Sequence, residues 1–125
     1  MDLIQEYINN IHDMEMKLDD YADTNKVERT NMLADRNRKI AMIINNEQKE
    51  LKSEFVKLLD SYEADIRLWV AHHIIEVMGF ESHIIVRALM EIEYESEHHN
   101  DAIQRLGNKM WLKQFYDKHP EYLNA

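Results

Sequence analysis

The sequence predicts an all-α fold, on three observations. Glycine and proline, on which sheet turns draw heavily, number two and one in 125 residues. Apolar residues recur at spacings of three and four through most of the chain, the repeat of a helix face. Side chains able to cap helices (Asp, Asn, Ser) stand ahead of several of these stripes. An apolar fraction of 45% argues against wholesale disorder, and a chain of this length buries roughly two-thirds of its unfolded surface. With no low-complexity linker, residues 1–125 read as a single helical domain.

The first helix is expected over residues 2–20, where Ile4, Tyr7, Ile8, Ile11, Met14, Leu18 and Tyr21 form one stripe. Asp2 with Gln5 has capping-box spacing at its start. Asp23-Thr24-Asn25 marks a turn, and Asn25 with Glu28 repeats the box. A second helix then reaches about Asn45, burying Leu33, Ile40, Ile43 and Ile44. Asn45-Asn46 is a break, and a third helix carries Leu51, Phe55, Leu58 and Leu59. Asp60, three residues before Glu63, caps a fourth over residues 63–78. There Ile66, Leu68, Trp69, Val70, Ile74, Ile75, Val77 and Met78 cover most of the circumference, as in a helix buried on several sides. Gly79 ends it in a left-handed cap. Ser82 caps a fifth helix holding Ile84, Ile85, Ala88, Leu89 and Ile92. The sixth runs from about His98 to Lys118, burying Ile103, Leu106, Met110, Leu112, Phe115 and Tyr116, and Pro120 closes it. About six helices with short links build a bundle or a short α-α superhelix of HEAT- or armadillo-like hairpins. The central apolar helix favours the superhelix.

A formal charge of −9 sets the surface against nucleic acid, and the densest basic group is only Arg36, Arg38 and Lys39. Membranes are equally unsupported. The most apolar stretch, residues 68–80, is short and broken by His72, His73 and Glu76. Asp2 and Glu6 stand where a signal peptide has its basic start and apolar run, so a cytoplasmic location is expected. The absence of cysteine fits a reducing compartment and excludes disulfides and thiolate metal sites.

Patterns for catalysis are thin. Ser61 and Ser82 suit helix caps, and Gly-x-Ser-x-Gly, a phosphate-cradling loop and a cysteine nucleophile are all missing. No enzyme, catalytic residue or cofactor is expected. Seven histidines raise the question of a metal. His72 and Glu76 share a helix face, and Glu95 with His98 makes one Glu-x-x-His, whereas di-iron bundles need two on facing helices. The zinc pattern His-Glu-x-x-His is absent, so no metal ligand is assigned. Trp69 and most of the eight methionines read as core, while Trp111 and Tyr116 are better placed for contact.

The strongest surface feature is acidic. Glu91, Glu93, Glu95, Glu97 and Asp101 occur in a stretch with no Lys or Arg from Ala88 to Gln104. One reading is a solvated helix end; the other is a docking surface for a basic partner, with Tyr94 as anchor and His98, His99 and Asn100 at its rim. A second group, Asp13, Glu15, Asp19, Asp20 and Asp23, is relieved only by Lys17. It crowds the end of the first helix, where the dipole disfavours carboxylates. Solubility is its first explanation, and partner contact through Asp19, Asp20 and Asp23 is the second choice after residues 91–101.

At Ile66-Arg67-Leu68-Trp69-Val70-Ala71-His72-His73-Ile74-Ile75 the chain resembles a bacterial family of small HEAT-like α-solenoid proteins. The likeness continues through Ala88-Leu89 and Ile92, then Gly107, Met110, Leu112, Lys113 and Phe115, covering roughly the C-terminal half. Val70 departs from it, standing where the family usually has a small residue. The resemblance implies a short superhelix and a role as an immunity protein in a toxin–immunity system, including contact-dependent growth inhibition. Such a protein blocks a cognate toxin domain, often a nuclease. A helical adapter serving an endogenous protein is the alternative, and a carboxylate–histidine metal protein a third reading.

Overall fold

The computed structural model describes residues 2–14 and 18–123, without the side chains of Leu18 and Asp19. Every regular element among the described residues is helical: α1 (Leu3–Asp13), α2 (Thr24–Asn46), α3 (Lys52–Lys57), α4 (Ala64–Glu76), α5 (Ser82–His98) and α6 (Ala102–Lys118). Short 3₁₀ segments lie at Leu18–Ala22, Lys49–Leu51, Leu58–Asp60 and Pro120–Tyr122. The fold class is all-α. The chain packs as two compact units, Met1–Phe55 and Val56–Ala125.

In the first unit, Asp2 starts α1 by accepting the Ile4 and Gln5 amides at 3.0 and 3.2 Å. Gln5 does not reach back to complete a box; it donates to Asn9 at 3.0 Å. The helix ends at Asp13 instead of continuing to residue 20, with Met14 closing it. Ile4, Tyr7, Ile11 and Met14 are buried as their spacing predicts, while Tyr21, beyond the break, is exposed. Asp23 caps α2 through the Asn25 and Lys26 amides at 3.0 and 3.3 Å, so Asn25 lies inside the first turn and is not the cap.

Helices α1 and α2 pair antiparallel. Arg36 donates twice to Glu6 at 2.6 and 3.0 Å, Asn10 donates to Asn37 at 2.9 Å, and Asp13 faces Arg29 at 3.9 Å. Asn37 is fully buried and also donates to the Tyr7 carbonyl at 3.1 Å, which offsets the cost of desolvating its amide. Ile40, Ala41 and Ile44 extend the buried face, with Leu33 and Ile43 half-buried. Tyr7 meets Phe55 edge to face at 5.0 Å, an arrangement aromatic quadrupoles favour.

In the second unit, α4 buries Ile66, Leu68, Val70, Ala71, His73 and Ile74. Its start corrects the expected cap. The Glu63 amide donates to the Ser61 hydroxyl at 3.1 Å, while Asp60 accepts from Arg87 of α5 at 2.5 Å. Gly79 ends the segment without a left-handed backbone, and Ser82 is the first residue of α5, not a capping side chain. Helix α5 buries Ala88, Leu89 and Ile92 as expected, and Asp101, accepting the Ile103 amide at 2.8 Å, starts α6.

Helix α6 departs most from expectation. Of its predicted core residues only Leu112 is buried; Phe115 and Tyr116 are half-buried, and Ile103, Leu106 and Met110 are exposed. The spacing 103, 106, 110 does define one helix face. The face turned inward, however, is the one bearing Asn108 and Leu112, with Trp111 and Phe115 beside it. A helix with two apolar faces gives no sign in its spacing of which one is covered.

Candidate protein-binding surface

The acidic run is sorted by burial into two sets. Arg67 on α4, outside the local window, reaches across to α5 and donates to Glu91 at 3.1 Å and Glu95 at 3.4 Å. Its remaining nitrogen donates to the Ser61 carbonyl at 2.7 Å. Glu95 is 2% exposed, so it supports α4–α5 packing and is not available for docking. Glu91 points the same way, and burial pushes its carboxyl above the usual range, with neighbouring Glu95 adding to the rise and Arg67 opposing it. His99 is buried and bonded to Asp65 at 2.9 Å, and Asp101 is occupied as the α6 cap. The picture of five unopposed carboxylates is therefore corrected: Glu91 and Glu95 are opposed by Arg67.

What remains outward on α5 from Met90 onward is Met90, Glu93, Tyr94, Glu97 and His98, all exposed. Tyr94 is 54% exposed and stacks on His98 with ring centroids 4.3 Å apart and planes 16° from parallel. His98 Nδ1 lies 2.9 Å from the Tyr94 carbonyl, so both rings are held in one orientation. Met90, one turn before Tyr94, is 62% exposed and extends the apolar centre. Glu93 accepts from the Tyr116 hydroxyl, and Glu97 lies 3.9 Å from Lys109. Burial and the Glu93 carboxylate hold that phenol strongly protonated. The result is an aromatic and apolar strip with carboxylates along it. Spacing points to Tyr94, whereas Met90, read from sequence as core filling, is exposed, which corrects that reading.

The chain was compared with family models, curated proteins and solved structures. It matches none of them. The surface must therefore be read from its own geometry.

The second acidic group is largely accounted for locally. Asp23 caps α2, where the helix dipole favours a carboxylate, and Asp20 lies 2.7 Å from Lys26. Glu15, Lys17 and the Asp19 side chain lie outside the described residues. Asp13 is the last residue of α1 and faces Arg29 at 3.9 Å, whereas Asp23 belongs to the next helix start.

The histidines do not converge. His72 places Nδ1 3.0 Å from Glu76 and Nε2 2.7 Å from the Asn108 side-chain oxygen, with Trp111 edge-on at 4.7 Å. In Glu95-x-x-His98, Glu95 turns inward to Arg67 while His98 stacks outward on Tyr94. No group of three His, Asp or Glu among the described residues is arranged to hold a metal ion. No described helix is long and apolar enough to cross a membrane.

Proposed function

We propose that this chain acts by stoichiometric binding, as an immunity protein that occludes a basic toxic enzyme of the nuclease type. The outward face of α5 is its contact surface. What supports this reading is the Tyr94–His98 stack, held in place at the surface between Met90 and the Glu93 and Glu97 carboxylates. A rigid aromatic loses little conformational entropy on docking and supplies buried area, the usual anatomy of an energetic anchor. Carboxylates around it complement a site built to hold phosphates, raising the association rate and rejecting unsuitable partners. The net charge of −9 acts in the same direction over longer range. The resemblance of residues 66–75 to immunity-type α-solenoids leads to the same class of partner.

The reading predicts a toxin gene immediately upstream of this one, and coexpression with that gene's toxic domain tests the role, with growth as the readout. Rescue by the wild-type chain is expected, together with recovery of a one-to-one complex. Full toxicity with the chain folded and abundant would contradict it. A helical adapter, by contrast, would copurify with an endogenous protein and give no rescue.

A further inference from the structure

On the inward side of the same two turns of α5, the charges do not balance. One guanidinium, Arg67, faces two carboxyls, Glu91 at 3.1 Å and Glu95 at 3.4 Å, and its remaining nitrogen is occupied by the Ser61 carbonyl. Glu91 Oε1 accepts from Arg67, but Glu91 Oε2 is buried with no hydrogen-bond partner among the described residues. An ionised oxygen left buried and unpaired is strongly unfavourable. Glu95, one turn away on the same helix, accepts from the same guanidinium, so the two carboxyls are neighbours, yet two carboxylates can only accept. A proton on Glu91 Oε2 removes that clash and leaves one carboxylate for one guanidinium.

We propose that Glu91 is held as the neutral acid beside the Arg67–Glu95 ion pair that joins α4 to α5, and that this protonated cluster is a clasp at the α4–α5 contact that loosens as pH rises. The other charges nearby are already paired. Asp60 meets Arg87, Asp65 meets His99, and Arg105 of α6 donates to the His99 carbonyl. On the far side of α5, Tyr116 and Lys109 of α6 are directed to Glu93 and Glu97. Burial raises the Glu91 carboxyl, Glu95 adds to that, and Arg67 opposes it without cancelling it. The folded chain therefore holds this proton more tightly than the unfolded chain does. The clasp's contribution is full below the ordinary glutamate value and is lost as pH rises through the raised value, when the proton passes to water. Because the same turns carry Met90, Glu93 and Tyr94 outward, opening the clasp loosens the helix that bears the proposed contact face. The clasp itself does not depend on that reading.

Carboxyl carbon NMR on the intact wild-type chain, with Glu91 assigned by through-bond correlation, reads the proton directly. The expected result is a Glu91 midpoint shifted above the ordinary glutamate range; a midpoint within or below that range overturns the proposal. Urea unfolding across a pH series provides an independent readout with Glu91→Gln, whose amide reproduces the donor and acceptor of the acid. The variant should keep its midpoint concentration where the wild type loses stability with rising pH. Identical pH dependence in the two proteins would also overturn the proposal, and if the variant fails to fold, the wild-type titration decides.

Discussion

Arg67 holds three acceptors from two segments, the carboxyls of Glu91 and Glu95 and the carbonyl of Ser61. Removing it leaves Glu95 buried without its cation, a change that typically costs about 3–5 kcal/mol. Arg67→Ala is therefore expected to lower the urea midpoint steeply, far more than Arg87→Ala, whose partner Asp60 is largely exposed. The pair Glu6–Arg36 gives a pH dependence of opposite sign to that of Glu91. The hydrogen bond from Arg36 holds the Glu6 carboxyl below its ordinary value. Its contribution is thus present above the ordinary glutamate value and lost as pH falls through the lowered one. Arg36→Gln should flatten that acid limb in unfolding experiments, modestly, since both side chains are partly solvated. Asp23→Ala removes the α2 cap and is expected to cost about 1 kcal/mol by thermal unfolding. The carboxylates of the acidic run were legible as residues but not as partners, because the guanidinium that sorts them lies 28 positions away from Glu95.

Among the elements, α2, α4 and α5 follow the expected pattern closely, while α1 keeps its apolar face only as far as Met14 and ends at Asp13. Helix starts were less legible. Asp60 and Ser61 both precede α4, and only long-range competition from Arg87 for Asp60 decides what each does. The same limit applies to α6, where two faces qualify as apolar and one is inward. Truncation separates them. Leu112→Ala should cost about 2–5 kcal/mol, as for buried leucines generally, whereas Leu106→Ala should fall within about 0.5 kcal/mol of wild type. Equal costs at both positions, measured by urea unfolding, would mean that the exposed face of α6 is covered. Gly107 sits within α6 with nothing within 4 Å of where a Cβ would stand. Gly107→Ala is accordingly expected to stabilise the chain by up to about 1 kcal/mol.

For the molecule as a whole, the all-α class and the absence of a spanning helix follow from composition and spacing, and the division into two units does not. No glycine- or proline-rich linker marks it, and the boundary between Phe55 and Val56 falls inside α3. Function is less legible than fold for a related reason. A binding surface is defined by what packing leaves outside, and the acidic run becomes a surface only once Glu91, Glu95 and His99 are subtracted from it. Charge reversal at Glu95 would consequently break the α4–α5 ion pair, so the docking probe is placed at Glu93, Tyr94 and Glu97, with Tyr116→Phe as the control for the Tyr116 bond that Glu93 loses. Reversing the two outer glutamates should slow association and reduce its salt dependence, while Tyr94→Ala should speed dissociation. Titration calorimetry of the toxic domain that the proposed role predicts in the gene immediately upstream, with wild type and with the Glu93→Lys, Tyr94→Ala, Glu97→Lys variant, helicity checked by circular dichroism, is the most direct measurement. One-to-one binding weakened by at least about 30-fold, equivalent to about 2 kcal/mol, is the predicted result. Unchanged affinity in a fully helical variant would contradict the assignment of this face.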